Sequence, residues 1–264
     1  MSKKNRYAQL IERIFEKYYF KDASEVPFRR EDLVETAKEL GIKLPKNLGD
    51  VIYSFRYRAE LPESIQKCAP RGLEWIIRPT GQAQYKFALA SSPKITPNPM
   101  LSETKIPDAT PGIIAKYALN DEQALLAKLR YNRMIDIFTG ITCYSLQNHL
   151  RTTVKGMGQI ETDELYVGVD QRGIQYVLPV QAKGGSDQLN IIQIEQDLAM
   201  CAEKFPILNC IPIAAQFIDE NLIALFSFEE GKIGISISSE KHYRLVPHEE
   251  LTEEELLSYR NRLI

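Results

Sequence analysis

From Tyr7 to Phe20 the apolar residues Leu10, Ile11, Ile14, Phe15 and Tyr18 fall at helical spacing, which predicts an amphipathic helix. Arg30 to Leu40 repeats the pattern with Leu33, Val34, Ala37 and Leu40, and Gly41 is placed to stop it. A short turn leads to Asn47, a good N-cap, and a third helix carries Leu48, Val51, Ile52 and Phe55 on one face. The spacing then changes. Leu73 to Arg78 and Gln84 to Leu89 read as strands around Pro79-Thr80-Gly81-Gln82, which predicts a hairpin. Ser91 to Gly112 has almost no apolar periodicity and holds Pro93, Pro97, Pro99, Pro107 and Pro111, the composition of a semi-rigid linker.

Beyond that stretch, Asp121 to Ile137 reads as a helix, and so does Tyr144 to Thr153. Strands are expected at Gln159 to Asp170, Ile174 to Lys183, Cys210 to Phe217, Leu222 to Phe228 and Ile233 to Ser238, with a helix from Gln188 to Phe205 between the second and third. Strands interleaved with flanking helices imply an α/β or α+β core. The expected domains are 1–90, a linker at 91–112, and 113–264.

Charge sharpens this division. Residues 1–90 hold 17 Lys and Arg against 12 Asp and Glu, whereas residues 91–264 hold 16 against 23. A phosphate footprint is therefore expected on the first part. The acidic second part suits a site that gathers cations. Cys68, Cys143, Cys201 and Cys210 form no Cys-x-x-Cys pair, which argues against structural zinc and for reduced thiols. No apolar run approaches the ~20 residues of a spanning helix. No signal-type apolar stretch follows Met1 to Arg6. The expectation is a cytoplasmic protein with no membrane partner.

The candidate chemistry lies in two strands, Gly158 to Val167 and Val177 to Lys183, the latter followed by Gly184-Gly185. Alternate strand residues share a face, so Glu161 pairs with Asp163 and Gln181 with Lys183. The loop Gln171-Arg172-Gly173 suits a three-residue hairpin with a left-handed glycine. If Asp170 pairs with Ile174, Asp163 lies opposite Gln181 and Glu161 opposite Lys183, and four polar groups converge on one face. Acidic oxygens with waters make a hard-cation site suited to Mg²⁺. Such an ion activates water and stabilises charge on a phosphodiester. The plainer reading is an ordinary cross-strand charge pair, contributing ~0.2–1 kcal/mol. Three features favour the site: the polar helix expected just before it, Gln-Ala-Lys after an apolar run, and the two glycines after the lysine.

At these residues the chain resembles the PD-(D/E)xK nuclease superfamily, which includes many type II restriction endonucleases. Its pattern is an acid on one strand and acid-x-Lys on the next, after a helix that supplies a Glu or Gln. The resemblance spans roughly residues 142 to 200. It implies Asp163 as the first acid, Lys183 as the lysine, Gln147 as the helix residue, and Gln181 where the family usually has Asp or Glu, with Glu161 compensating. Metal ligation would fall to Asp163, Gln181 and Glu161, with Mg²⁺ as cofactor and Mn²⁺ as substitute. Gln181→Glu would then keep or raise metal affinity. The Pro107-Asp108 pair lies in the expected linker and reads as a decoy.

The first 85 or so residues resemble a winged helix-turn-helix in element order. That implies Lys46, Asn47, Asp50, Tyr53, Ser54, Arg56, Arg58, Arg78 and Lys86 as DNA contacts. The combined expectation is a restriction-type endonuclease with a restriction-endonuclease-like mixed sheet flanked by helices. Its partners would be double-stranded DNA, a second copy of itself in a homodimer, and a cognate DNA methyltransferase. A winged-helix regulator with an inactive nuclease-like domain, or a repair or recombination nuclease, are the alternatives.

Overall fold

The computed structural model describes residues 6–57, 59–90, 94–118, 122–184, 187–231 and 234–262. The chain divides into two compact units: Met1–Ile95 with Thr152–Ile160 and Asn190–Ile192, and the remainder from Thr96.

The first unit contains α1 (Arg6–Tyr18), β1 (Glu25–Arg29), α2 (Arg30–Leu40), α3 (Gly49–Tyr57), α4 (Glu63–Gln66), β2 (Glu74–Gly81), β3 (Gln84–Ala90) and the short β4 (Lys94–Ile95). The helix faces marked by apolar spacing are the buried ones. Leu10, Ile11, Ile14 and Phe15 of α1, Leu33 of α2, and Val51, Ile52 and Phe55 of α3 close over Trp75, Ile77 and Phe87. Gly41 caps α2 in the left-handed region at φ +64°. Strand β1 escapes the sequence reading because it is five residues long and contains Pro27. Proline lacks the N–H a central strand must donate, but β1 is an edge in the order β1-β3-β2.

The rest of the chain forms β5 (Glu103–Pro107), α5 (Gly112–Tyr117), α6 (Glu122–Tyr131), α7 (Met134–Thr139), β6 (Thr142–Val154), β7 (Gly158–Val169), β8 (Gln175–Lys183), β9 (Leu189–Asn190), α8 (Ile191–Lys204), β10 (Asn209–Cys210), β11 (Ile213–Phe217), β12 (Leu222–Gly231), β13 (Gly234–Val246) and α9 (Glu253–Arg260). Its sheet is mixed, ordered β5-β13-β12-β11-β8-β7-β6, with β10 also on β8. Strand β11 runs parallel to β8, from Ile213↔Val180 to Gln216↔Lys183. A parallel neighbour requires a crossover, and α8 supplies it. Leu125, Leu126 and Leu129 of α6 and Met134, Ile135 and Phe138 of α7 pack on Leu178, Val180, Ala182, Ile213 and Leu225. The fold class is mixed α+β, a large mixed sheet flanked by helices. Among the described residues no helix is long and apolar enough to cross a membrane.

Three expectations change. The segment expected to be a helix from Tyr144 to Thr153 is the edge strand β6. From Tyr144 to His149 every residue is exposed, so no period-2 alternation marks that stretch. The helix expected from Asp121 to Ile137 is two, because Arg133 adopts φ +48° and breaks it. The expected linker contains structure: β5 lies parallel to β13, pairing Glu103 with His242 and Pro107 with Val246. Its Asp108, the decoy, accepts bonds from the Thr110 N–H and the Asn132 amide, a local structural role.

Gly168 of β7 has no space for a side chain. A Cβ there would lie 2.6 Å from Ile141 Cγ2 and 3.1 Å from Cys143 Sγ. Gly168→Ala is expected to destabilise the protein by about 1–3 kcal/mol through overpacking. A urea midpoint equal to wild type would refute this close approach of β7 to the start of β6.

Candidate active site

The β7–β8 hairpin closes as its loop sequence suggests. Gly173 sits at φ +81°, and the Asp170 N–H donates to the Ile174 carbonyl at 3.1 Å. The ladder runs from Val169↔Gln175 to Glu164↔Val180, which is the expected register. Past Glu164 the hydrogen bonding changes character. The Ala182 N–H donates to Asp163 Oδ2 at 2.8 Å, so a side-chain carboxylate serves as its acceptor.

Strict alternation would put Thr162 and Glu164 on one face of the sheet. Instead the Thr162 hydroxyl donates to Asp197 of α8, while Glu164 accepts from Arg130 of α6 at 3.2 Å and Ser145 of β6 at 2.6 Å. Gln181 lies between Val180 and Ala182, which pack in the α6–α7 core, and its amide reaches α8. Helices α6 and α8 therefore cover opposite faces, and the alternation breaks between Thr162 and Glu164.

This break gathers three charges. Lys183 Nζ donates to Glu122 Oε1 of α6 at 2.6 Å and lies 3.8 Å from Asp163 Oδ2. The Lys183 and Asp163 side chains are 14% and 11% exposed and Glu122 is 34% exposed, so the cluster opens to solvent on the Glu122 side. Burial pushes the Asp163 carboxyl above its ordinary range, and Glu122 adds to that. Lys183 and the Ala182 N–H pull the other way without cancelling it. Two carboxylates against one ammonium leave a surplus negative charge, which a cation would relieve.

On the other face lies a second polar cluster. Gln181 Nε2 donates to Asp197 Oδ2 at 2.9 Å and to the Glu161 carbonyl at 3.2 Å, and Gln181 Oε1 accepts from Gln193 Nε2 at 2.9 Å. Asp197 is fully buried, and desolvation pushes its carboxyl up to about 7 against the pull of its bonds to Thr162 and Gln181.

Of the four polar groups expected on one face, Asp163 and Lys183 do meet. Gln181 does not join them, because its amide is spent on Asp197, Gln193 and the Glu161 backbone. The Glu161 carboxylate turns to Arg151 at 3.1 Å and His149 at 3.4 Å. Gln147 sits exposed on β6 and is not a helix residue. Sequence reasoning missed Glu122 and Asp197. Glu122 stood at the start of a helix already recognised; the helix position was sought instead in what is β6.

Among the described residues no group of three or more His, Cys, Asp or Glu side chains is set to hold a metal. Mg²⁺ asks for less: one or two carboxylates, water and substrate phosphate oxygens. Glu122 and Asp163, flanking one lysine with surplus negative charge, fit that smaller set. Gln181 and Glu161 do not fit as ligands.

In the first unit, Asn47 Oδ1 accepts from the Gly49 N–H at 3.1 Å and its amide donates to Asp50 at 2.7 Å, so both residues serve the start of α3. Tyr53 is exposed, Ser54 is half-buried, and the Arg56 guanidinium lies 4.7 Å over the Tyr57 ring. Lys46 is exposed and Arg78 half-buried. Lys86 is ion-paired with Glu25 of β1. Arg58 lies outside the described residues.

Gln181→Glu would set a second carboxylate against Asp197. It is expected to destabilise the fold by about 1–3 kcal/mol, the cost of an unmatched buried polar group, without tightening Mg²⁺ binding. Urea denaturation and Mg²⁺ calorimetry measure both; unchanged stability with tighter binding would restore Gln181 as a ligand position. Compared with known proteins, the chain matches no family model, no curated protein and no solved structure.

Proposed function

We propose that the protein is a Mg²⁺-dependent endonuclease that hydrolyses phosphodiester bonds of double-stranded DNA. The observation carrying this reading is that Lys183 is held by Glu122 and beside Asp163, an ammonium between two acids from a helix and a neighbouring strand. On the PD-(D/E)xK resemblance, Glu122 of α6 would be the helix acid in place of Gln147, which lies on β6.

Mg²⁺, when bound, lowers the pKa of water and polarises the phosphoryl oxygen. Glu122 and Asp163 are the side chains that would hold it. Asp163 is kept in place by the Ala182 N–H, which fixes its Oδ2 while burial limits water competition. Lys183 is tethered by Glu122 at 2.6 Å and so projects one ammonium at a defined point. There it orients the attacking water and offsets charge developing on the phosphate.

The first unit supports a winged-helix reading through its order of helix, strand, three helices and a β-hairpin, with the sheet ordered β1-β3-β2. In helix-turn-helix docking α3 would enter the major groove. Exposed Tyr53 and Lys46 are then available to DNA. The second reading is a DNA-binding regulator whose nuclease-like domain is inactive. It is favoured by Gln181, whose side chain is committed elsewhere and leaves two carboxylates for the metal.

Plasmid cleavage is expected to require Mg²⁺ or Mn²⁺ and to fall about a hundredfold or more in Asp163→Ala, Lys183→Ala and Glu122→Ala. Circular dichroism checks that each variant folds. Full activity in Glu122→Ala would remove the helix acid from the mechanism. No cleavage by wild type under any divalent ion, with DNA binding intact, would select the regulator.

Lys46→Ala is expected to weaken binding to all duplexes alike and to lower the salt slope by about one unit. Tyr53→Ala should instead change which sites are bound. Equal salt slopes and unchanged site preference, measured by fluorescence anisotropy, would rule out α3 as the reading element.

A further inference from the structure

The buried cluster on the α8 face is not used by the proposed reaction, yet it is wired to it. Asp197 takes the Thr162 hydroxyl on one oxygen and the Gln181 amide on the other. Thr162 immediately precedes Asp163. Gln181 immediately precedes Ala182, whose N–H holds Asp163. The two donors thus lie on the two strands, one residue before each partner of the Asp163–Ala182 bond. Gln193, one turn before Asp197 on α8, fixes the Gln181 carbonyl oxygen at 2.9 Å and so sets which way that amide faces.

We propose that Asp197 is a positioning residue. Its carboxyl clamps β7 to β8 behind the site, holding Asp163 on the Ala182 N–H and Lys183 between Asp163 and Glu122. The clamp sits where the backbone ladder, last paired at Glu164↔Val180, no longer does this work. Chemistry argues against a merely structural role. Asp197 is fully buried, and its bonds come from a hydroxyl and an amide. A carboxyl in such a place is costly when apolar side chains of similar volume would fill it. The clamp also accounts for Gln181: an amide there donates to Asp197, which a carboxylate cannot do.

This inference rests on the proposed function only for its activity readout. Three full-length variants test it. Asp197→Leu removes both bonds at similar size. Asp197→Asn keeps them, since its oxygen accepts from Gln181 and its amide donates to the Thr162 hydroxyl. Thr162→Val removes one arm at nearly constant volume. The first measurement is amide hydrogen exchange at Ala182. It is expected to accelerate at least about tenfold in Asp197→Leu, severalfold in Thr162→Val, and hardly at all in Asp197→Asn. The second is Mg²⁺-dependent cleavage of supercoiled plasmid. There Asp197→Leu is expected to lose about a hundredfold in kcat with KM little changed, and Asp197→Asn to restore it to within about threefold of wild type. Unaltered Ala182 exchange in Asp197→Leu overturns the clamp, and accelerated exchange with unaltered kcat overturns its role in positioning. Should Asp197→Leu not fold, Thr162→Val decides by the same two measurements. A wild type that cuts no DNA removes the nuclease reading, and Ala182 exchange then decides the clamp on its own.

Discussion

The bond from the Ala182 N–H to Asp163 Oδ2 is the contact on which this end of the sheet depends. A strand N–H normally finds a carbonyl on its neighbour. Here it finds a carboxylate, and three things follow. The β7–β8 ladder stops at Glu164↔Val180, although β7 continues as a strand and Gln181 to Lys183 stay paired with β11. Asp163 and Glu164, which alternation would separate, both engage the α6 side: Glu164 through Arg130, Asp163 through Lys183 and Glu122. Thr162 is turned to α8. The same bond keeps a buried carboxylate partly satisfied, although burial still lifts Asp163 above the ordinary carboxylate range.

Two buried acids, Asp163 and Asp197, sit on opposite sides of this bond in unlike surroundings. Asp163 has a cation at 3.8 Å and an edge open toward Glu122. Asp197 has neutral donors and no exposure. Asp163 adds to the rise of the Asp197 pKa, since like charges oppose ionisation. Gln181 lies on the strand between them, and its amide is what such a position calls for. It donates to one acid without adding a third negative charge. A metal-ligand reading of position 181 asks for an acid, but the electrostatics of the two flanking acids ask for a neutral donor. The hydrogen bonds side with the donor.

What could be read from the sequence follows from range. The β7–β8 register was legible because it depends on adjacent residues: Gly173 in a short loop and apolar runs on either side. The three helices and hairpin of the first unit were legible because each has one buried face. Strand β6 was not, because residues 144–149 of this edge strand are all exposed and carry no alternation, and Leu146 and Leu150 four apart mimic a helix. That error placed Gln147 on an expected helix, where β6 lies. Asp197 and the break at Asp163 were not legible for another reason. Alternation assumes an unbroken ladder, and the residue that breaks it acts through its side chain, which periodicity does not encode.

Charge then constrains how such a site could be used. A phosphodiester arriving at Asp163 and Glu122 meets two carboxylates and one ammonium, and residues 91–264 carry 16 basic against 23 acidic groups. Those groups repel a polyanion more than they attract it. Mg²⁺ at the two carboxylates would reverse the local sign, but one ion cannot supply the affinity that many phosphate contacts give a duplex binder. The attraction has to come from elsewhere in the chain. Residues 1–90, with 17 basic against 12 acidic groups, are the part that can provide it. Among those groups Lys46 is exposed and Lys86 is ion-paired with Glu25. On the proposed reading, duplex binding would fall to residues 1–90 and chemistry to the cluster around Asp163.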